Sequence, residues 1–250
     1  MQITSRSLEL LTALALCTPM LRAQSAVADY DALLEDAIQA IDWQFDEHWA
    51  YTRTSVDDDR LWVARFDPSV PAADRWTVRS VDGRAPDEDE IDDYIDDIAL
   101  VEFLTDGAVD IKDMTLPGSL TLIEETADHW LLSFRPNDDD EDFFDSVDGR
   151  IRIIKDGRYL ETIELRNNST IKPGLGTRID VFLTRFTFAP INDDGPVVPR
   201  SIEVRVSGRA LLFISFDETE FIAYSDFEYV GDGRPHQCLS LRSLRKIDLG

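Results

Sequence analysis

The spacing of apolar residues changes along the chain from a helical period to a strand period. Residues 30–41 place their apolar side chains on one helical stripe, which predicts a helix with Asp29 or Asp31 as its N-cap. Residues 87–98 form a second stripe after Pro86, whose ring suits a first helical turn. The carboxylates of residues 87–90 would lie at the positive end of that helix, where they are favourable. The pattern predicts two or three helices in a chain of mostly strand-like segments.

Elsewhere apolar and polar positions alternate, as they do on half-buried β-strands. Polar turns are predicted between these segments, among them Ala127-Asp128, Asp156-Gly157, Ser207-Gly208 and Asp217-Glu218. The predicted strands are residues 49–56, 60–66, 75–81, 119–126, 129–135, 149–155, 159–166, 178–188, 201–206, 209–216 and 220–229.

Short connections between these strands favour sequential antiparallel pairing, which makes a meander. A meander of about eleven strands must curl, because wide sheets twist strongly, and helices would then cover its concave face. No stretch has the composition of a linker, so residues 29–250 are expected to form a single domain. The predicted fold class is mainly β with a few helices (α+β), built on a curved antiparallel meander.

One face of each predicted strand is apolar, and several of these faces are rich in aromatic residues. Two interpretations remain open: a core packed between the sheet and the helices, or an apolar cavity that takes a lipid chain. For a cavity, the candidate ligand-binding residues are Trp76, Trp130, Leu132, Phe134, Phe182 and Phe186, with Val204 on a similar face.

Acidic residues dominate the charge of the chain. There are 50 acidic and 25 basic residues, for a formal net charge of -25. Such a field repels nucleic acid and anionic lipid surfaces, so no nucleic-acid partner is expected. The acidic surface is interpreted either as a solvated, soluble surface or as an adaptation to a salty exterior or to cations.

The N-terminal segment has the features of a cleaved export signal. Arg6 precedes an apolar run over residues 10–21 that is too short to span a bilayer. Ala26-Val27-Ala28 fits the cleavage pattern, which predicts residues 1–28 as a signal peptide; a cut after Ala23 is the alternative. No later apolar run is long enough for a membrane span. The mature chain is therefore expected to be periplasmic or secreted, and not membrane-spanning.

The two cysteines fit this interpretation. A bacterial lipoprotein signal needs a small residue just before its cysteine, and Leu16 precedes Cys17, so Cys17 is expected to be removed and not lipidated. Cys238 is then the one cysteine of the mature chain, which excludes an internal disulfide.

The motifs of common enzyme classes are absent from the sequence. There is no G-x-S-x-G elbow, no Walker loop and no G-x-G-x-x-G. His48, His129 and His236 are far apart and no C-x-x-C exists, which argues against zinc. The acidic runs at 57–59, 87–93 and 137–142 do not match a calcium loop. We therefore expect no enzymatic activity, no catalytic residues, no cofactor and no metal.

Several phrases of the sequence resemble an exported branch of the LolA/LolB superfamily. They are Ala64-Arg65-Phe66-Asp67-Pro68, Arg75-Trp76-Thr77-Val78 and Val81-Asp82-Gly83-Arg84-Ala85-Pro86, with the run from Gly157-Arg158-Tyr159 through Tyr224-Ser225-Asp226-Phe227. The resemblance extends over nearly all of residues 29–250 and implies an unclosed half barrel, covered by helices around an apolar cavity. The early signature of the lipoprotein carrier itself is not found, so no functional arginine carries over from it.

The resemblance implies a periplasmic binding protein for a hydrophobic ligand, a lipid or an acyl chain, in envelope lipid or lipoprotein trafficking. The helices at 30–41 and 87–98 would be the lid candidates. The alternative is a non-transporting envelope sensor or scaffold of the same fold, with a filled interior and an envelope protein as its partner. A hydrolase is disfavoured because no nucleophile–base pair is visible.

Overall fold

The computed structural model describes residues 29–57, 60–105, 111, 114–137, 145–174, 176–211 and 214–231. The predicted signal peptide, Cys17, His236 and Cys238 lie outside these residues, as does most of the acidic segment 137–142. Within the described ranges, every helix is too short or too polar to cross a lipid bilayer.

The described elements are mostly strands. The helices are α1 Tyr30–Gln39, α2 Phe45–His48 and α3 Glu88–Thr105, with a single 3-10 turn at Ala72–Asp74. The strands are β1 Trp49–Asp57, β2 Arg60–Phe66, β3 Trp76–Val81, β4 Thr121–Glu125, β5 His129–Phe134, β6 Val147–Ile154, β7 Tyr159–Asn167, β8 Ile171–Gly174, β9 Thr177–Pro190, β10 Val197–Ala210 and β11 Ile214–Tyr229. The expectation of a mainly β chain with few helices is confirmed.

The strands form one antiparallel sheet with the order β3-β2-β1-β11-β10-β9-β7-β6-β5-β4, and β8 adds to β9. Most neighbours are consecutive in sequence, as a meander requires. The exceptions are β7, which pairs with β9, and β1, which pairs with β11 and so joins the N-terminal hairpin to the last described strand. Strands β3 and β4 are the two edges of this path, so the sheet is not closed.

The local signals at the first helix are confirmed. Asp29 is the N-cap of α1, and its Oδ1 accepts a hydrogen bond of 3.1 Å from the backbone N–H of Ala32. The helix ends at Gln39, and Ile41 instead forms a parallel bridge to Val197. Two elements, α2 and β8, were not predicted, because four residues are too few to establish a period.

The turns predicted at Ser207-Gly208 and Asp217-Glu218 are wrong. Strand β10 continues through Ser207 and Gly208, where its register with β9 shifts at a bulge. A Cβ on Gly208 would lie 2.1 Å from the carbonyl oxygen of Arg178, so glycine is required by close backbone approach and not by a turn. Asp217 pairs with Ser207 inside the β10–β11 ladder.

The chain reverses instead between Ala210 and Ile214, where a strand over 209–216 was predicted. Ala210 and Ile214 are the last cross-strand pair of β10 and β11. Leu211 begins the turn with a φ of 50°, a left-handed value that is rare for a bulky residue. The prediction failed because this turn is made of apolar residues, whereas turns are usually recognised from glycine, asparagine, aspartate or proline.

The larger apolar cluster lies between α1 and strands β5 to β9. Leu34 and Ala37 of α1 are buried against it. Its central strand residues, Leu132, Ile151 and Ile163, are between 0% and 1% exposed, so no water-sized space adjoins them. Elsewhere in the cluster, Phe134 packs across Gly149, where an added Cβ would lie 2.3 Å from the ring.

A second apolar cluster forms where α3 packs on strands β2 and β3. Tyr94 and Ile98 of the helix are buried against residues of the two strands. The ring of Tyr94 stacks on Trp62 with a centroid separation of 4.7 Å. The predicted stripe of Ile91, Tyr94, Ile95 and Ile98 is therefore the packed face of this helix, although the helix extends beyond residue 98.

The start of α3 is fixed by a reciprocal pair of hydrogen bonds. The backbone N–H of Glu90 donates to Asp87 Oδ1, and the backbone N–H of Asp87 donates to Glu90 Oε2. Arg84 donates two hydrogen bonds to the Glu90 carboxylate, and Arg60 of β2 donates a third at 2.5 Å. Glu90 therefore ties the helix to the sheet. The hydrogen bonds from Arg84, then that from the Asp87 N–H, lower the pKa of Glu90 to about 2.

We expect Glu90→Gln to lower the melting temperature at neutral pH, with an effect that disappears in acid. The folded-state pKa lies below the ordinary value of 4.5, so the stabilisation is complete above that value and is lost as the pH falls towards about 2. Thermal melts of both proteins across this range test the prediction. Glu88→Gln, at an exposed position of the same helical turn, is the matched control. A melting difference for Glu90→Gln that persists unchanged at pH 2 would contradict it.

Candidate functional site

Cross-strand pairing aligns one residue from each of ten strands in a row that crosses the sheet. The row is Leu122, Leu132, Ile151, Ile163, Phe186, Ile202, Ile222, Ser55, Trp62 and Val81, from β4 to β3. Residues directly opposite each other lie on the same side of a sheet, so the row defines one face, called here the inner face. Ser55 is its one polar member, and its hydroxyl lies 3.1 Å from the hydroxyl of Tyr94.

Burial varies along this row. The residues beside α1 and those beside α3 are almost completely buried, whereas Phe186 and Ile202 near the middle are partly exposed. Their neighbours Phe182, Val204 and Val206 on the same face are also partly exposed. These five side chains of β9 and β10, called here the inner strip, are apolar surface that the described residues leave incompletely covered. Glu218 and Glu220 of β11 border the strip.

The predicted ligand-binding residues all belong to the inner face but differ in their surroundings. Leu132, at 0% exposed, and Phe134, at 4%, are packed inside the larger cluster. Trp130 packs at the margin of this cluster, donates its indole N–H to Glu125 and lies 4.7 Å from the Lys155 ammonium. Trp76 packs against the second cluster at the far side of the sheet. Phe182, Phe186 and Val204 form part of the inner strip.

Aromatic side chains gather at one end of the inner face. They are Phe45, Tyr51, Phe66, Trp76, Tyr224 and Phe227. Tyr51 is their centre, with ring centroids 5.0 Å from Phe66 and 5.5 Å from Tyr224. The Arg200 guanidinium lies 4.7 Å from the Phe227 centroid, and burial lowers the pKa of Arg200.

Arg53 is a buried cation on the inner face. It is paired across the sheet with Ala64 and Tyr224, and it is 7% exposed. Its guanidinium carbon lies 5.6 Å from the centroid of the Tyr94 ring. Arg53 forms no ion pair or hydrogen bond with another described residue, and its buried Nε has no partner. A buried guanidinium is unfavourable unless it is paired, so the position suits an anionic group of a ligand.

A cavity of about 580 Å³ lies on the opposite face of the sheet, called here the outer face. It is lined by residues of β7, β9, β10 and the loop after β7, among them Arg166, Asn168, Thr170 and Arg205. Phe182 is the one predicted ligand-binding residue among the described residues that line it. In the part of the chain that the structure covers, no group of three or more acidic, histidine or cysteine side chains is arranged to hold a metal ion.

Sequence reasoning missed Arg53 and the outer-face arginines. Arg53 follows Trp49 and Tyr51 at alternate positions of β1 but precedes Ser55 and Asp57, so alternation along this strand gave no clear signal that it is buried. The outer-face arginines are distant in sequence and only the strand register brings them together.

Comparison of the chain with family models, with curated proteins and with solved structures gives no match.

Proposed function

We propose that this chain is a periplasmic, LolA-like half-barrel protein that binds a hydrophobic ligand, a lipid or an acyl chain. The observation that carries the proposal is the inner strip, a set of five partly exposed apolar side chains that lie between the buried residues beside α1 and those beside α3. Exposed apolar surface that is continuous with a core is characteristic of a binding surface. The role is binding, so it needs neither a catalytic residue nor a cofactor.

The burial of an acyl chain would supply the affinity. Each methylene transferred from water to an apolar surface contributes about 0.8 kcal/mol, so a single chain can be held without a polar motif. Phe182 and Phe186 supply flat apolar surface on β9, and Val204 lies on the neighbouring strand β10. The ligand surface is therefore placed on the strip and not around Leu132, whose side chain is fully packed.

Arg53 supports a ligand that carries an acid group. Arg53 of β1 is paired with Tyr224 of β11, and the next pair on this face is Ser55 with Ile222. Ile222 is in turn opposite Ile202 of the strip, so Arg53 lies close to the strip along the sheet. A carboxylate or phosphate at Arg53 would give the buried cation the partner it lacks. Tyr94 of α3 packs over this position, so α3 is the lid candidate whose displacement would admit the acid group.

Native mass spectrometry and fatty-acid uptake test this function. We expect the purified protein to release lipid on solvent extraction and to take up dansyl-labelled undecanoic acid. Val204→Glu places a charge in the strip and should weaken uptake about tenfold or more. Val63→Glu is the matched control, because Val63 is also partly exposed but lies on the outer face of β2. Absence of bound lipid together with absence of probe uptake would refute the proposal.

The second candidate is a non-transporting envelope sensor or scaffold. The dense packing around Leu132, Ile151 and Ile163 supports it, because a filled interior needs no ligand. The same experiments separate the two functions. A scaffold predicts no extractable lipid, identical probe signals for Val204→Glu and wild type, and a stable protein partner on affinity purification.

A further inference from the structure

The turn between β10 and β11 exposes large apolar side chains. Leu211 is 58% exposed and Ile214 is 50% exposed. Turns usually consist of small or polar residues that remain solvated, whereas residues 210–214 are apolar throughout. Leu211 also has a φ of 50°, which is unfavourable for its side chain. Leu211 and Ile214 are large apolar side chains kept in water, one of them on a strained backbone, and this combination indicates a binding surface.

This turn lies at the end of a hairpin that extends beyond β1. Within the described residues, β11 pairs with β10 from Ala223 to Ile214, whereas its pairing with β1 ends where Phe221 is opposite Val56. Residues 214–220 therefore continue the β10 ladder beyond the part of β11 that β1 covers. The apolar turn is at the far end of this extension, and β9 runs beside β10 as far as the pair of Arg209 and Arg178.

The charged residues nearest the turn are arginines. Arg209 is directly opposite Arg178 on β9 and is next to Ala210, the last residue of β10. Like charges at opposite positions repel each other, and an anion placed between them removes the repulsion. Arg178 is bonded to Asp180, whereas Arg209 has no ion pair or hydrogen bond within the described part of the chain.

Two more arginines follow on the same face. Arg166 and Arg205 are both paired with Leu183, one on each side of β9, and both line the outer-face cavity of about 580 Å³. Arg205 has no partner among the described residues, and the ion pair between Arg166 and Glu164 is long, at 3.9 Å. The cavity also contains Asn168 and Thr170, so it offers room and donors for a phosphate group.

We propose that this end of the molecule docks on an anionic lipid surface. Leu211 and Ile214 enter the interfacial region, and Arg178, Arg205 and Arg209 contact lipid phosphates. Apolar side chains next to arginines are the combination that holds a protein at such a surface. A nucleic acid would leave the apolar turn without a contact, whereas a lipid surface uses both the turn and the arginines.

Carboxylates on the same face do not cancel this pattern. Asp180 is held by Arg178, and Asp217 is opposite Ser207, farther from the turn than Arg209. The formal net charge of -25 repels an anionic membrane from most of the molecule. Glu218 and Glu220 of the same hairpin lie on the inner face, so this repulsion would orient the protein with the arginines of the outer face towards the lipid.

Vesicle sedimentation of the purified protein tests the docking. We expect binding to vesicles of phosphatidylglycerol mixed with phosphatidylcholine, weaker binding to phosphatidylcholine alone, and loss of binding as salt is added. Leu211→Ser with Ile214→Ser should weaken binding to the mixed vesicles about tenfold. Arg205→Glu with Arg209→Glu should weaken it by at least about fivefold for each arginine.

Matched controls use exposed residues at other places. Leu122→Ser with Ile123→Ser removes apolar side chains of 40% and 50% exposure from the edge strand β4, and should leave binding unchanged. Circular dichroism and melting curves verify that each variant folds.

The proposal is overturned if wild type does not bind the mixed vesicles at low salt, or if the turn variant binds as wild type does. It is also overturned if the turn variant changes only a monomer–dimer equilibrium in sedimentation velocity. Fatty-acid uptake by the turn variant should equal that of wild type, which separates docking from the proposed ligand binding.

Discussion

Replacement of Arg53 by methionine is expected to raise the free energy of unfolding by about 1–4 kcal/mol and to weaken fatty-acid uptake about tenfold or more. Methionine has a similar length and fills the same space on the inner face, but it carries no charge that must be buried. The cation–π contact with Tyr94 is lost, and this loss is smaller than the desolvation cost that is removed. Urea unfolding measures the stability, and titration with dansyl-labelled undecanoic acid measures the binding.

The opposite directions of the two changes are what distinguish a ligand-binding arginine from a structural one. Arg150→Met, at an exposed position of β6, is the control and should change neither quantity appreciably. If Arg53→Met is less stable than wild type and binds the probe equally well, Arg53 has a structural role and the acid group of the ligand has no partner there.

Replacement of Leu132 by alanine is expected to cost about 2–5 kcal/mol of stability and to leave fatty-acid affinity nearly unchanged. Leu132 is 0% exposed and lies among packed residues, so the missing methyl groups leave a void that the sheet cannot easily close. Equilibrium unfolding and probe titration of the same preparation give both quantities.

Val204→Ala is the matched comparison for this prediction. Val204 is partly exposed in the inner strip, so its truncation should cost little stability but should weaken probe binding. If Leu132→Ala instead loses affinity without losing stability, the interior is an open cavity around Leu132, and the ligand surface assigned to the strip is misplaced.

The strands were predictable because their alternation is strong, and the helix caps because their chemistry is local. The β6 strand is buried at every odd residue from 147 to 153, as a simple alternation requires. Asp29 is the N-cap of α1. By contrast, Gly208 is a residue typical of turns, but it lies in a bulge. Glycine is needed there because the Arg178 carbonyl of another strand comes too close for a side chain. No local pattern contains that information.

The sequence predicted which side of the strands carries the candidate site, but not where on that side the site lies. Alternation correctly grouped Leu132, Phe134 and Phe186 on apolar faces, yet the degree of covering depends on where the helices pack. Cross-strand register places Phe186 beside Ile202 near the middle of the row, away from the buried parts beside α1 and α3. Register between distant strands depends on bulges, such as those within the β7 and β10 ladders, and alternation alone does not reveal them.

The pairing of β1 with β11 has a consequence for the order in which the protein assembles. Trp49 meets Tyr229, so the N-terminal hairpin reaches its neighbour only when almost the whole described chain is present. Contacts between such distant residues slow folding, because a long loop must close before they form. Until then, β1 presents an unpaired edge that can associate with another chain. A chain that is synthesised or threaded from its N-terminus therefore needs this edge protected until its last strand arrives.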